Sequence, residues 1–171
     1  DLVGETSSSL IISGVTSSNT GTQYQCSINS GALFSNTAIL TVYDAVAIVT
    51  QPSNLTVCSN ATSATFNVSA TGSGLSYQWQ VSTNSGSTWT NASGSATSAS
   101  YVISTINNAL NQNQYRVIVS GSSPCTAVTS NAATLSVTGV TVAASSTTIC
   151  ANSTVTLTVT PTTGAPSLSY S

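Results

Sequence analysis

The stretch Leu75-Ser-Tyr-Gln-Trp-Gln-Val81 decides the fold of this chain. Apolar and polar side chains alternate along it with a period of two, so Tyr77 and Trp79 share one face of a β-strand. Turn-forming Ser, Asn and Gly residues lie on both sides of it, at 71–74 and 84–86. The stretch therefore predicts a half-buried strand whose inward face is centred on Trp79.

Further short alternating segments precede and follow this strand between Val46 and Val137. A long polar corner at 107–113 comes before the segment that contains Tyr115. No segment shows the 3.6-residue period of a helix. About seven short strands separated by turns predict an all-β Greek-key sandwich.

The sequence also repeats itself, with a period of about 92 residues. Three pairs of similar segments show the repeat: 9–13 with 100–104, 22–26 with 113–117, and 56–58 with 148–150. The chain then divides into three parts: the C-terminal part of one repeat (1–45), a complete repeat (46–138) and the N-terminal part of the next (139–171). We expect such a chain to be a segment of a longer tandem array.

Charged residues are almost absent, at 2% of the chain against roughly 25% in an average soluble protein. The charged side chains are those of Asp1, Glu5, Asp44 and Arg116. One Arg cannot neutralise a phosphate backbone, so nucleic acid is excluded as a partner. No apolar run approaches the length of a membrane span, so we expect no membrane insertion.

Catalysis is not expected from these residue types. The chain has no His and only three carboxylates, so neither a catalytic triad nor a paired-carboxylate site can be built in the complete repeat. Calcium bound at a domain junction needs several acidic ligands, and only Asp44 lies at the first junction. We predict no catalytic residue, no metal site and no cofactor.

An inward Trp79, followed after a polar corner by Tyr115, resembles the pattern of the immunoglobulin fold. Tyr115 stands where that fold has its tyrosine corner, and Tyr24 has the same place in the first part of the chain. The resemblance implies tandem immunoglobulin-like sandwiches with Trp79, Tyr115 and Tyr24 in their cores.

A narrower resemblance rests on four short motifs, Gln51-Pro52, Thr56-Val-Cys58, Tyr77-Gln-Trp79 and Ser130-Asn131. With these motifs the chain is similar to the Ig-like repeats of very large secreted surface proteins and adhesins of gliding and related Gram-negative bacteria. That resemblance implies export to the cell surface, often through the type IX secretion system. It also implies a role in adhesion or in an extracellular scaffold.

Four cysteines in an exported chain of low charge are interpreted as disulfide partners. We expect Cys58 to pair with Cys125, because the repeat places both near the same end of the sandwich. Cys26 and Cys150 then have their expected partners outside this sequence. The alternative, a four-cysteine zinc site, is disfavoured because the cysteines are spread over three repeats without a Cys-x-x-Cys pair.

Trp89 remains as the candidate for contacts with other molecules, whereas Arg116 does not. Trp89 is predicted on a short strand beside the Trp79 strand. Among the aromatic residues, it is the one for which strand alternation indicates burial least clearly. Arg116 points outward from its strand, where a solvated or edge-protecting role is expected.

Two functions fit these observations. The first is a structural and adhesive stalk of tandem Ig-like repeats in an extracellular cell-surface protein. The alternative is a self-assembling extracellular filament or sheath subunit, because uncharged sheet edges do not repel one another. The expected partners are neighbouring repeats or copies of the same protein, together with surface glycans or other cells.

Overall fold

The structure is a computed structural model that describes residues 8–28, 33–144, 148 and 150–161. The first part of the chain contains a short 3-10 helix, Ser17–Asn19, followed by four two-residue strands. These are β1 (Gln23–Tyr24), β2 (Ser27–Ile28), β3 (Leu33–Phe34) and β4 (Ala38–Ile39). β1 pairs with β4 and β2 with β3, both antiparallel.

The middle part contains ten strands and one 3-10 helix, Asn108–Leu110, which precedes β12. The strands are β5 (Ala47–Thr50), β6 (Leu55–Cys58), β7 (Ala64–Asn67), β8 (Ser69–Thr71), β9 (Ser76–Ser82), β10 (Thr90–Asn91), β11 (Ser100–Ile103), β12 (Gln114–Ser120), β13 (Val128–Thr129) and β14 (Ala133–Thr138). The last part contains an antiparallel pair, β15 (Val140–Ala144) and β16 (Leu157–Pro161).

The strands of the middle part form two layers. One layer has the order β10-β9-β12-β14-β6, in which only β14 and β6 are parallel, and β13 also pairs with β12. The other layer consists of the antiparallel pairs β5-β8 and β7-β11. β12 therefore lies inside its sheet, between β9 and β14, so Arg116 does not protect an edge as the sequence suggested.

Aromatic rings from both layers meet in the core. Trp79 of β9 is fully buried, and its ring lies 6.2 Å from that of Phe66 and 5.8 Å from that of Tyr101. Tyr115 packs on Phe66 with 4.9 Å between the ring centroids. The Trp79 indole N–H donates to the carbonyl of Ser98 at 2.8 Å, so the one polar group of the ring is satisfied.

These features confirm the predicted fold class, an all-β Ig-like Greek-key sandwich. The strand predicted at 75–81 is β9, Ser76–Ser82. Tyr115 is 3% exposed at the start of β12, and its role as a tyrosine corner stays a prediction. Tyr24 is only half-buried and is not part of the buried core.

One hydrogen-bond arrangement recurs in the first and middle parts. The Ser130 hydroxyl accepts from the backbone N–H of Val117 at 2.9 Å and donates to the Asn131 carbonyl at 2.8 Å. In the first part, the Ser35 hydroxyl accepts from the backbone N–H of Cys26 at 3.0 Å and donates to the next carbonyl at 2.8 Å. The two segments thus share local structure, while the period of about 92 residues stays a prediction.

Candidate interaction surface

The side chain of Arg116 lies on the outer face of the six-stranded sheet, where two neighbours hold it. Its Nε–H donates to Oε1 of Gln80 at 2.9 Å, across the antiparallel pair of β12 and β9. Its Cζ lies 4.2 Å from the centroid of the Trp89 ring, which is a cation–π contact. Arg116 is the only Lys or Arg of the chain, and its guanidinium is fixed on two sides.

Trp89 is half-buried and immediately precedes β10. Its indole N–H donates to the carbonyl of Gly86 at 3.0 Å, which anchors the ring to the preceding turn. The turn needs left-handed backbone at Ser85 and Gly86, with φ of 56° and 85°. Glycine adopts that conformation without steric cost, and a single serine tolerates it.

Side-chain hydrogen bonds make this turn rigid. The Asn84 carboxamide oxygen accepts from the Ser82 hydroxyl and from the backbone N–H of Thr88, both at 2.9 Å. The Asn84 amide nitrogen donates to the Thr88 hydroxyl at 2.8 Å. Ser82 is almost fully buried and also accepts from the N–H of Gly86 at 2.9 Å. The turn therefore holds Trp89 over Arg116 in one position.

The sequence alone did not identify Gln80 or the Asn84 turn as parts of this cluster. Alternation places Gln80 and Arg116 on the outward faces of their strands. In an immunoglobulin sandwich those two strands are neighbours, so their contact could have been expected from the fold. No hydrophobic pattern, however, reports the Asn84 hydrogen bonds.

The electrostatic surroundings of Arg116 are neutral. Among the residues that the structure describes, Asp44 is the only carboxylate, and it forms no ion pair with Arg116. The outward side chains next to Arg116 include Gln78 and Gln114, which are uncharged hydrogen-bonding groups. The guanidinium thus keeps both of its terminal nitrogens without an acidic partner in the described parts of the chain.

The predicted bridge between Cys58 and Cys125 is absent, and all four cysteines are free thiols. Cys58 ends β6 at the level of Thr138, the last residue of β14. Cys125 lies in the loop before β13, and its thiol donates to the Asp44 carbonyl at 3.5 Å, where the sandwich begins. The two cysteines are therefore at opposite ends of the sandwich.

The separation follows from strand direction. β12 and β14 run between those two ends, and seven residues of strand at about 3.3 Å each already span more than 20 Å. A disulfide requires Cα atoms about 4–7 Å apart. The prediction that the repeat places both cysteines at the same end was wrong, because β6 runs parallel to β14 and carries Cys58 to the far end.

A cleft of about 460 Å³ lies near the aromatic core and includes Val81, Tyr101, Asn113 and Tyr115 in its lining. Burial raises the pKa of Tyr101. Burial also raises the pKa of Tyr115, while the hydrogen bond from Asn113 acts in the opposite direction. No residue lining the cleft is charged, so the cleft provides hydrogen bonds and apolar contact.

Among the described residues, no three His, Cys, Asp or Glu side chains lie close enough together to hold a metal ion. The helical turns in the same parts of the chain are too short to cross a bilayer.

Immunoglobulin-like domains are the class that this fold defines. One protein family matches the sequence, described as a domain of unknown function (DUF8696), over residues 46–139. The match covers more than half of the chain, which therefore belongs to this family. No protein of curated function matches the sequence.

Several solved structures of immunoglobulin domains are similar in fold. Sidekick-1 immunoglobulin domains 1-5 share 17% identity with this chain, at a TM-score of 0.43 over 67% of this chain and 24% of that one. Dpr11 IG1 bound to DIP-gamma shares 20% identity with this chain, at a TM-score of 0.46 over 72% of this chain and 62% of that one. Titin domains I67-I69, in an E-to-A variant, share 12% identity, at a TM-score of 0.49 over 72% of this chain and 43% of that one. The chain thus spans between a quarter and three fifths of these solved chains.

Proposed function

We propose that this chain is a segment of tandem Ig-like repeats in a large extracellular cell-surface protein, where it acts as a non-catalytic structural and adhesive stalk. The observation that carries the proposal is the recurrence around Ser35 of the hydrogen-bond arrangement found at Ser130, as expected if the first part of the chain closes another sandwich. A repeated late-strand structure is what a tandem array requires.

The junctions between the parts are short, as a stiff stalk needs. Only Gly139 separates the end of β14 from the start of β15. At the other junction, the backbone N–H of Asp44 donates to the Ser73 hydroxyl at 2.9 Å. The N–H of Ser73 donates back to the Asp44 carbonyl at 3.2 Å. Linker residues bonded to the sandwich in this way limit bending.

Exposed apolar side chains in the first part also support a larger assembly. Ile11, Leu33, Phe34 and Ile39 are each more than 60% exposed. Side chains of this size are normally covered, so further strands of the same repeat would pack over them. The extracellular setting, with export by a type IX system, is the finer part of the proposal and rests on the resemblance to bacterial surface repeats.

Small-angle X-ray scattering tests the stalk. Residues 47–58 run the length of the sandwich, and at about 3.3 Å per residue they indicate roughly 40 Å per repeat. Chains with one, two and three repeats should therefore lengthen by about that amount per repeat. A maximum dimension that grows much less, with the scattering of a flexible chain, would contradict the stalk. Long fibres in negative-stain micrographs of the purified chain would instead favour the self-assembling filament.

The cell-surface location has its own test. Antibodies raised against residues 46–138 should label intact cells of the source organism. External protease should remove that labelling. Labelling that appears only after the cells are lysed would contradict an extracellular role.

A further inference from the structure

We propose that Arg116, held by Trp89 and Gln80, binds the carboxylate of an acidic sugar unit in a polysaccharide. This inference goes beyond the stalk, because it gives the repeat a binding site with a defined ligand chemistry. It rests on the cluster of Arg116, Trp89 and Gln80 on the outer face of β9 and β12.

The guanidinium of Arg116 is positioned before any ligand arrives. A solvated arginine has many rotamers and loses that freedom on binding. Here the Trp89 ring covers the guanidinium at 4.2 Å, and Gln80 takes the Nε–H at 2.9 Å. Trp89 is itself fixed to Gly86 by its indole N–H. Most of the ordering cost of binding is thus met in the folded protein.

Both terminal nitrogens of the Arg116 guanidinium remain as donors for a ligand. Gln80 uses the Nε–H, so the four hydrogens on the two terminal nitrogens are the donors left for a ligand. No carboxylate in the described residues occupies them. A planar pair of N–H donors fits the two oxygens of one carboxylate. A phosphate polymer would need several cations, and this chain has one.

The surface around the Arg116 charge is polar and uncharged. Gln78 and Gln114 flank Arg116 on the outward faces of the strands, and uncharged amides are suited to sugar hydroxyl groups. A protein partner normally inserts aromatic or apolar anchors into a desolvated centre. Ile118, the outward apolar side chain next to Arg116 along β12, is half-buried, and no large apolar side chain of β9 or β12 is strongly exposed. The surface therefore favours a hydroxyl-rich ligand with one carboxylate.

The test measures binding of a tetragalacturonate to the whole 171-residue chain by nuclear magnetic resonance titration and calorimetry. The fully methyl-esterified tetrasaccharide is the control ligand, because it keeps the sugar hydroxyls and loses the charge. Saturable shifts at Arg116, Gln80 and Trp89 with the acid, and none with the ester, are the expected result. Equal affinity for the ester, or no saturable shift with the acid, would overturn the proposal.

Variants assign the binding to Arg116. Arg116→Gln should weaken the affinity at least about 10-fold, as loss of a charge-assisted hydrogen-bonded pair does. Arg116→Lys keeps the charge but not the fork, so it should also weaken binding, by a smaller factor. Ser136→Ala, on the outer face of β14, is the matched control and should bind as the parent does. Near-ultraviolet circular dichroism shows whether each variant is folded.

The same variants separate the sugar from other occupants. If Arg116→Gln keeps the parent affinity for the acid, the site is elsewhere and the proposal fails. If the parent chain self-associates in sedimentation and Arg116→Gln does not, a second copy occupies the face and the acidic-sugar assignment is overturned. Neither outcome tests the stalk. The scattering experiment tests the stalk separately, through the dimensions of the repeat array.

Discussion

The hydroxyl of Ser130 accepts a hydrogen bond from the buried N–H of Val117 at 2.9 Å, in place of a bond between two strands. Ser130 is 7% exposed and Val117 is fully buried, so water cannot replace this acceptor. The hydroxyl also donates to the Asn131 carbonyl at 2.8 Å. The Ser130 side chain, in the segment between β13 and β14, thus pairs with two backbone groups, the Val117 N–H and the Asn131 carbonyl.

Ser130→Ala should therefore lower the free energy of unfolding by about 2 kcal/mol, because it leaves the Val117 N–H buried without a partner. Urea unfolding followed by tryptophan fluorescence measures the change. Ser136→Ala removes a hydroxyl from the outer face of the neighbouring strand and should change the free energy by less than about 0.5 kcal/mol. Equal effects of the two substitutions would show that the Ser130 bond does not stabilise the sandwich.

Oxidation of the folded chain should produce no bridge between Cys58 and Cys125, since they lie at opposite ends of the sandwich. Peptide mapping after treatment with oxidised glutathione measures this directly. Dithiothreitol should leave the urea midpoint unchanged, whereas a bridge closing this loop would contribute about 4 kcal/mol. A cross-linked peptide containing both cysteines, obtained from folded monomer, would contradict the strand order described for β6 and β14.

The fold could be predicted from the sequence because its signals are local. Period-two alternation placed the strand of Trp79 within one residue of β9, and the polar corner placed Tyr115 at the start of β12. Strand direction is not local, and it decides which loops share an end of the sandwich. That is why the pairing of Cys58 with Cys125 failed.

The Arg116 cluster was predictable only in part, for the same reason. Alternation correctly put Arg116 on an outward face. Its place between β9 and β14, its contact with Trp89 and its bond to Gln80 depend on strand order and on the hydrogen bonds of the Asn84 turn. Such side-chain bonds leave no mark in the hydrophobic pattern.

Stability should fall at high pH because the core contains Tyr101 and Tyr115. Burial raises the pKa of both hydroxyls above the ordinary value of 10.0. The unfolded chain then ionises first, so their contribution is fully present below pH 10.0 and is lost as the pH rises towards the higher folded pKa. Urea unfolding between neutral and strongly alkaline pH, with a reductant present, measures this loss.

Tyr101→Phe provides the control for the alkaline transition. It removes one of the two ionising groups, so the fall in stability above pH 10.0 should be less steep than in the parent. Tyrosinate absorbance should show that some tyrosines of the folded parent ionise at a higher pH than the tyrosines of the chain unfolded in urea. If every tyrosine of the folded chain ionises at the same pH as in the unfolded chain, the two rings are not buried as described.

The two tryptophans should differ sharply in their contribution to stability. Trp79 is fully buried between Phe66 and Tyr101 and donates to the Ser98 carbonyl, so Trp79→Phe loses both volume and a hydrogen bond. We expect a loss of about 2–3 kcal/mol in the free energy of unfolding. Trp89 is half-buried on the outer face, and Trp89→Phe keeps an aromatic ring beside Arg116. Trp89→Phe should therefore lower the free energy of unfolding by less than about 1 kcal/mol.

Urea unfolding followed by far-ultraviolet circular dichroism compares the variants, because that signal does not depend on either indole. Each variant also leaves one tryptophan, so its fluorescence reports a single site. The emission of Trp79 alone should be that of a dry core, and the emission of Trp89 alone should lie at longer wavelength. Equal destabilisation by the two substitutions would mean that Trp89, and with it Arg116, belongs to the stabilising core rather than to a surface available for binding.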